Sequence, residues 1–250
     1  MPSQLIVLAA GSGTRFGGVK QLARVGPNGE AILDVLLARA EAAGFAGAVI
    51  VTSPAVEAQM REHLAEHRPK LPVDIVLQRS PTGTADAVLA ARDVVEGAFA
   101  VVNADDLYPA EAFVMLAEHL GSEDEPALVA FPVVKTLIGR RPVKRAVLDF
   151  DDAGGLVAIR ESTVAPGSDT LAGHEWVSMN MWGFALSMFA VLAHAVAEFA
   201  ASGSTGEVLL PDVVGALVLA GEAVHVLRCD EPCIGITYAE DVDVVRAALA

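Results

Sequence analysis

The chain reads as an α/β protein, a Rossmann-like three-layer α/β/α sandwich with a mostly parallel, mixed sheet between two layers of helices. Three observations predict this. Between Leu5 and Leu120, short apolar runs of strand length alternate with helical segments, and strand–helix alternation of this kind builds a parallel sheet covered on both faces. Apolar residues make up 53% of the chain and aromatics 5%, so the core is built mainly from Ala, Val and Leu. The 250 residues are enough for one domain with a full core.

Leu5 to Ala10 reads as the first buried strand, and it breaks into a glycine-rich segment holding Gly11, Gly13, Gly17 and Gly18. Pro27-Asn28-Gly29 marks a turn. Residues 31–43 carry helical periodicity and stop at Gly44. A strand is expected over Gly47–Thr52, a polar helix over 55–67, a strand over Val73–Gln78, a helix over 84–95, a buried strand over Phe99–Asn103 and a helix over 110–120. The rhythm then changes. Leu128–Val134 reads as a strand, and Ala146–Phe150 and Leu156–Glu161 flank DDAGG as a hairpin. Residues 163–174 form a Pro/Gly/Ser loop, followed by a strand over Trp176–Ala185, helices over 187–201 and 207–220, strands over Val224–Leu227 and Ile234–Tyr238, and a last helix over 239–249. No repeat or linker divides the chain, so residues 1–250 are expected to form a single domain with two halves, 1–125 and 126–250.

The segment after the first strand carries the chemistry. Arg15 and Lys20 sit among its glycines. Successive N–H groups in such a turn form an anion nest, and two cations raise the local potential. A strand-to-helix connection that merely needs glycine would not explain those cations in a chain of net charge −15. The spacing is neither a G-x-x-x-x-G-K-[ST] loop nor a dinucleotide G-x-G-x-x-G. Further along, AVVNADDLY places Asp105 and Asp106 after an apolar strand, where paired carboxylates suit Mg²⁺ and also suit a helix N-cap. In QRSPTGTADAV, Gly83 permits a close backbone approach and Thr84 can cap the following helix. Asn180, in an apolar strand, needs a hydrogen-bond partner from the core or a ligand.

LAAGSGTRFGGVKQL resembles the signature loop of the nucleotidyltransferases that make nucleotide sugars and related compounds. That resemblance implies a glycosyltransferase-A-like nucleotidyltransferase fold, an NTP and a phosphorylated small molecule as substrates, and Mg²⁺ as cofactor. It assigns Arg15, Lys20 and Asp105 to catalysis, with Asp105 as the metal ligand. It assigns Leu8, Ala9, Ala10, Gly11, Ser12, Gly13, Thr14, Gln78, Pro81, Gly83, Thr84, Asn103 and Ala104 to the nucleotide, Gln78 and Gly83 facing the base. Asp106, Glu161, Asn180 and Trp182 fall to the acceptor, Trp182 or Trp176 by stacking on a sugar face. In the basic cluster GRRPVKR, Arg140, Arg141 and Lys144 are candidates for the acceptor phosphate, with a solvated loop as the equal alternative. Where many relatives carry W-x-D with a second metal-binding aspartate, this chain has Cys233 and Gly235, so Asp241 or Glu240 is the candidate substitute; first-turn helix acids are the bland reading.

Hexose 1-phosphate is the expected acceptor, against cytidylyl transfer to a non-sugar phosphate of the methylerythritol or choline type, or a non-catalytic nucleotide-sensing domain. The net charge of −15 disfavours nucleic acid and anionic membrane as partners. No run reaches the ~20 residues of a membrane span and the N-terminus is not a signal peptide, so a cytoplasmic protein is expected, as monomer or homodimer. Cys229 and Cys233 read as free thiols. His63 and His67 lie i, i+4, a spacing that can bind metal, but H-E-x-x-H is absent and the charged helix reads as a solvated face.

Overall fold

A computed structural model describes residues 3–11, 13, 15–139, 141–165 and 174–249. The first half supplies β1 (Gln4–Leu8), α1 (Ile32–Ala42), β2 (Gly47–Thr52), α2 (Glu57–His67), β3 (Val73–Leu77), α3 (Thr84–Leu89), β4 (Phe99–Asn103), the two-residue β5 (Asp106–Leu107) and α4 (Ala110–Ser122). The second half adds β6 (Ala127–Pro132), β7 (Val143–Phe150), β8 (Leu156–Val164), β9 (Trp176–Phe184), α5 (Met188–Ser202), α6 (Leu210–Leu219), β10 (His225–Arg228), β11 (Ile234–Gly235) and α7 (Asp241–Ala247).

The main sheet runs β10-β6-β9-β4-β1-β2-β3, with the β7–β8 ribbon attached to β9. β1, β2, β3 and β4 pair in parallel, as do β6 and β10. β9 enters antiparallel between β4 and β6 and is the strand that makes the sheet mixed. Side-chain alternation feeds two cores. From β1, Leu5 and Val7 join Leu33, Leu36, Phe113 and Leu116 of α1 and α4 on one face. Ile6 and Leu8 join Val88, Phe189, Leu192 and Val214 of α3, α5 and α6 on the other. The three expected layers are therefore present.

The boundaries move where local signals ran past the tertiary frame. α3 is shorter than the expected 84–95, and β7 and β8 extend beyond the expected hairpin. A one-turn 3-10 helix over Lys20–Leu22 follows the glycine segment. Among the described residues no helix is long and apolar enough to cross a membrane.

Candidate active site

The carboxyl ends of β1, β3, β4 and the kinked middle of β9 meet at one edge of the sheet. Ser12 and Thr14 lie outside the described residues, as does Arg140. In the glycine loop, Phe16 and Gly17 both donate N–H groups to the Gly13 carbonyl, at 2.9 and 3.0 Å. Gly13 has φ +56°, and a Cβ there would lie 2.3 Å from the Gly18 carbonyl oxygen, so this turn requires glycine. The buried Gln21 pins the loop from behind, its amide donating to the Ala9 carbonyl at 3.0 Å. Its Oε1 is buried without a partner among the described residues.

Lys20 reaches across this edge and forms an ion pair with Asp105 Oδ2. A cavity of about 510 Å³ opens there. Leu8, Ala10, Gly11, Lys20, Gln78, Pro81, Gly83, Thr84, Asn103, Asp105 and Asn180 all line it, as does Glu207. Most residues assigned to the nucleotide are thus brought together. Gly13, Ala9 and Ala104 do not line the cavity: Gly13 closes the turn after Gly11, and Ala9 and Ala104 are fully buried, their amides serving the sheet, Ala104 N–H donating to Leu8 and Ala9 N–H to Val51.

Two assignments change their local meaning. The Gln78 amide donates both to the Gly83 carbonyl at 2.9 Å and to Asp86 at 3.0 Å, which leaves its oxygen for a ligand. Thr84 does not cap α3 with its side chain; its Oγ1 accepts from Leu210 N–H at 2.8 Å and so serves the start of α6. Gly83 packs against the Val208 backbone, where a Cβ would come within 2.3 Å of the carbonyl oxygen.

Asn180 sits in β9 with φ +63°, at a bulge where Leu128 and Ala130 of β6 pair with Trp182 and Ser178. The left-handed residue turns its amide toward β4, donating to Asn103 Oδ1 at 3.1 Å and accepting from Trp182 Nε1 at 2.8 Å. Asn180 therefore joins the nucleotide-side cavity rather than an acceptor wall. Trp182 is a correction: it is fully buried, stacked with Phe184, and holds Asn180 instead of offering a face to substrate. Trp176 is partly buried in the same core, under the Arg228 guanidinium.

Asp106 turns the other way. Asn103 donates to its Oδ2 at 2.8 Å, and it lines a second cavity of about 310 Å³ with Arg15, Arg141, Lys144, Arg145 and Asp241. Burial, then the neighbouring Asp105 charge, push its pKa up to about 6, against the pull of Asn103, Arg145 and Lys20. Gly235 of β11 pairs opposite Asp106, and a Cβ on it would lie 2.1 Å from Asp106 Oδ1. The space that a side chain at 235 would need is thus filled by the carboxyl of Asp106.

Arg145, within the basic cluster but not singled out from sequence, is anchored by donating to Thr136 Oγ1 at 3.0 Å and to the Thr136 carbonyl at 2.6 Å. Its burial lowers its pKa, and it projects into the second cavity. Arg141 is braced by Glu240 and Asp241 at 2.7 and 2.8 Å and lies over the Tyr238 ring. Arg15 is exposed at the cavity mouth, without an ion pair among the described residues.

Two further assignments are corrected. Asp241 accepts from Thr237 and Tyr238 N–H groups through Oδ2 and from Arg141 through Oδ1; both oxygens hold the turn into α7, which leaves it a poor substitute for a metal ligand. Glu161 lines neither cavity and pairs with Lys144 at 2.6 Å on the exposed ribbon. Sequence reasoning missed Arg145 and Glu207; Arg145 had a signal, the basic cluster itself, while Glu207 stands in an unpatterned stretch.

Comparison with known proteins adds two findings. The profile of the MobA-like NTP transferase domain matches residues 5–167, more than half of the chain. No curated protein sequence matches. Among solved structures, the inositol-1-phosphate CTP transferase from T. maritima has the same fold, with a TM-score of 0.73 over 99% of this chain and 96% of that one at 16% identity.

Proposed function

We propose a function from one premise: the chain belongs to the MobA-like NTP transferase domain family. It is accordingly a nucleotidyltransferase, and our reading is transfer of a nucleotidyl group from an NTP to a phosphorylated acceptor, with hexose 1-phosphate as the first candidate. One observation carries this reading: two cavities meet at consecutive acids, Asp105 facing Lys20 in the nucleotide-side cavity and Asp106 facing the cluster of Arg15, Arg141, Lys144 and Arg145. A triphosphate on one side and an acceptor phosphate on the other would bring two anions to this junction, and cations supplied from both sides offset their repulsion.

In this scheme an acceptor phosphate oxygen attacks the α-phosphorus in line. The bond from the α-phosphorus to the bridging oxygen breaks, and pyrophosphate departs with that electron pair. The attacking oxygen is already ionised, so no general base is needed; positioning and charge stabilisation do the work. Lys20 and Arg15 steady the reacting and departing phosphates. Arg145, held by Thr136, presents a fixed guanidinium to the acceptor. The donor set fits Mg²⁺: Asp105 spends one carboxyl oxygen on Lys20 and keeps the other unbonded among the described residues. Asp105 would hold the ion, which when bound neutralises charge on the triphosphate.

A second reading, cytidylyl transfer to a non-sugar phosphate, draws on the fold shared with an inositol-1-phosphate CTP transferase. Pyrophosphate release, measured with each of the four NTPs and Mg²⁺ against hexose 1-phosphates, inositol 1-phosphate, choline phosphate and methylerythritol phosphate, separates the two. Release with none of these pairs, alongside a thermal shift by an NTP, supports the sensing alternative and refutes the transferase reading. With the active pair in hand, Lys20→Ala is expected to lower turnover by about 10²–10³-fold, the scale of losing one charge-stabilising donor, while the far-UV spectrum stays unchanged. Undiminished pyrophosphate release by that variant refutes the role of Lys20.

A further inference from the structure

His63 is not on a solvated face. It is buried at 8% exposure, and its Nε2 lies 2.7 Å from Asp34 Oδ1 of α1. His67, one turn on, stacks on it with ring centroids 4.0 Å apart. One ligand atom from each of Asp34, His63 and His67 falls within 4.8 Å of the others. None of these residues lines the two cavities at the sheet edge.

We propose that Asp34, His63 and His67 form a site for one divalent transition-metal ion of the zinc class, joining α2 to α1. The arrangement has the outer contacts that orient metal ligands. The His67 Nδ1 lies 3.0 Å from the His63 backbone carbonyl. A carbonyl only accepts, so Nδ1 carries the proton and the Nε2 lone pair is free. The other Asp34 oxygen, Oδ2, accepts from Ala31 N–H at 2.8 Å, which leaves Oδ1 directed at His63. With an ion bound, His63 would take the tautomer protonated at Nδ1, its Nε2 proton exchanged to solvent, so that Nε2 and Asp34 Oδ1 become a pair of ligands instead of a hydrogen bond. In a tetrahedral site with bonds of about 2.0–2.1 Å, ligand atoms stand about 3.3 Å apart, so the 2.7 Å pair must open slightly and the exposed His67 ring must turn out of its stack on His63, because a bound ion lies near the plane of each imidazole.

Two imidazoles and one carboxylate select zinc, cobalt or nickel over magnesium and calcium, which prefer all-oxygen shells. Three protein ligands leave a position for water. Asp34 and His67 line a cleft of about 370 Å³ that gives access to it, with Glu30, Glu41, Arg68 and Lys70 on its walls. Without metal, the same residues make an ordinary hydrogen-bonded cluster.

The test uses the full chain, stripped with EDTA and titrated with Co²⁺. One equivalent is expected to bind with visible bands of a four- or five-coordinate ion, to be displaced by Zn²⁺, and Zn²⁺ is expected to raise the thermal midpoint. His67→Ala removes an exposed ring and leaves the fold, checked by its far-UV spectrum. It is expected to bind at least about tenfold more weakly and to lose the Zn²⁺-dependent shift. Near-ultraviolet thiolate bands would instead place the ion at Cys229 and Cys233, and overturn the proposal. So would a Co²⁺ titration that is silent, or the same in His67→Ala as in the parent. Because the readouts are metal binding and melting, their failure leaves the nucleotidyl-transfer reading standing, and failure of that reading leaves this site standing.

Discussion

Substituting Gly83 by alanine tests the claim that the nucleotide-side cavity is closed by backbone packing between the two halves of the chain. Gly83 has φ +114° and ψ 177°, a region essentially restricted to glycine. A Cβ there would lie 2.3 Å from the carbonyl oxygen, 2.6 Å from the nitrogen and 2.8 Å from the carbonyl carbon of Val208. All three are main-chain atoms, so no side-chain rotation relieves the overlap. The segments must separate, and three hydrogen bonds cross this seam: Val208 N–H to the Thr82 carbonyl at 2.8 Å, Ala85 N–H to the Val208 carbonyl at 3.0 Å, and Leu210 N–H to Thr84 Oγ1 at 2.8 Å.

Backbone strain of this kind costs about 1–3 kcal/mol, and each lost hydrogen bond about 0.5–1.5 kcal/mol. Partial loss of the seam gives a total of roughly 3–6 kcal/mol, a large share of the ~5–15 kcal/mol that holds a domain folded. At about 2–4 °C per kcal/mol for a chain of this size, the melting midpoint should drop by at least ~6 °C. Guanidinium and thermal melts measure it, with Gly11→Ala as the control, since nothing lies within 4 Å of a Cβ at Gly11. If Gly83→Ala melts within ~2 °C of the parent, the seam is more pliable than its contacts imply and the argument fails.

Gly235→Ala places a methyl 2.1 Å from Asp106 Oδ1 and should lower both the melting midpoint and activity; the Gly235→Ala/Asp106→Ala double variant should recover part of the midpoint, and strict additivity in that cycle would show the two positions uncoupled. Asp106 has its pKa raised from 3.8 to about 6 on folding, so the folded state holds a proton that the unfolded chain releases. Its contribution is most favourable below pH ~4 and is lost as pH rises through ~6, which predicts that Asp106→Asn is stabilised relative to the parent by on the order of 3 kcal/mol above pH 6 and by nothing below pH 4; urea midpoints across that range with no trend in the difference would contradict it. Trp182→Phe keeps the core ring but removes the donor to Asn180 Oδ1 at 2.8 Å, and should cost about 1 kcal/mol while raising KM for the NTP, an effect that steady-state kinetics would miss only if Asn180 is irrelevant to the nucleotide.

The elements that were legible in the chain are those whose signal is local. The apolar run Leu5, Ile6, Val7 and Leu8 reads as a buried strand without knowledge of the rest of the fold, and the runs from Gly47 to Asn103 give parallel strands, though not their order β4-β1-β2-β3 in the sheet. What could not be read depends on contacts distant in sequence. Trp182 is an amphipathic side chain in a strand, and only the bulge at Asn180 decides that its ring goes inward. Arg145 differs from Arg141 and Lys144 in being anchored on Thr136, a residue of the preceding 3-10 turn. His63 follows the pattern of a charged helix, yet Asp34 on another helix draws it into the interior. Arg15 and Lys20 stood out because cations are improbable in a glycine-rich turn of so acidic a chain, and Asp105 because of the resemblance; the structure pairs Lys20 with Asp105 and sets Arg15 against the second cavity.

The dipeptide Asp105-Asp106 explains why one sheet edge carries two cavities. Asp105 lies in the tight turn that follows β4 and Asp106 opens the short β5, so the chain changes direction between the two carboxylates. Asp105 consequently faces Lys20 and the glycine loop, while Asp106 faces Gly235 and the basic ribbon. Asn103 ties both sides together, since it donates to Asp106 and accepts from Asn180. The pairing with β11 then sets what residue 235 must be: with Asp106 turned inward to fill that space, no side chain fits opposite it. The glycine at 235 and the aspartate at 106 are therefore one structural choice, and any side chain introduced at 235 would have to displace the Asp106 carboxyl.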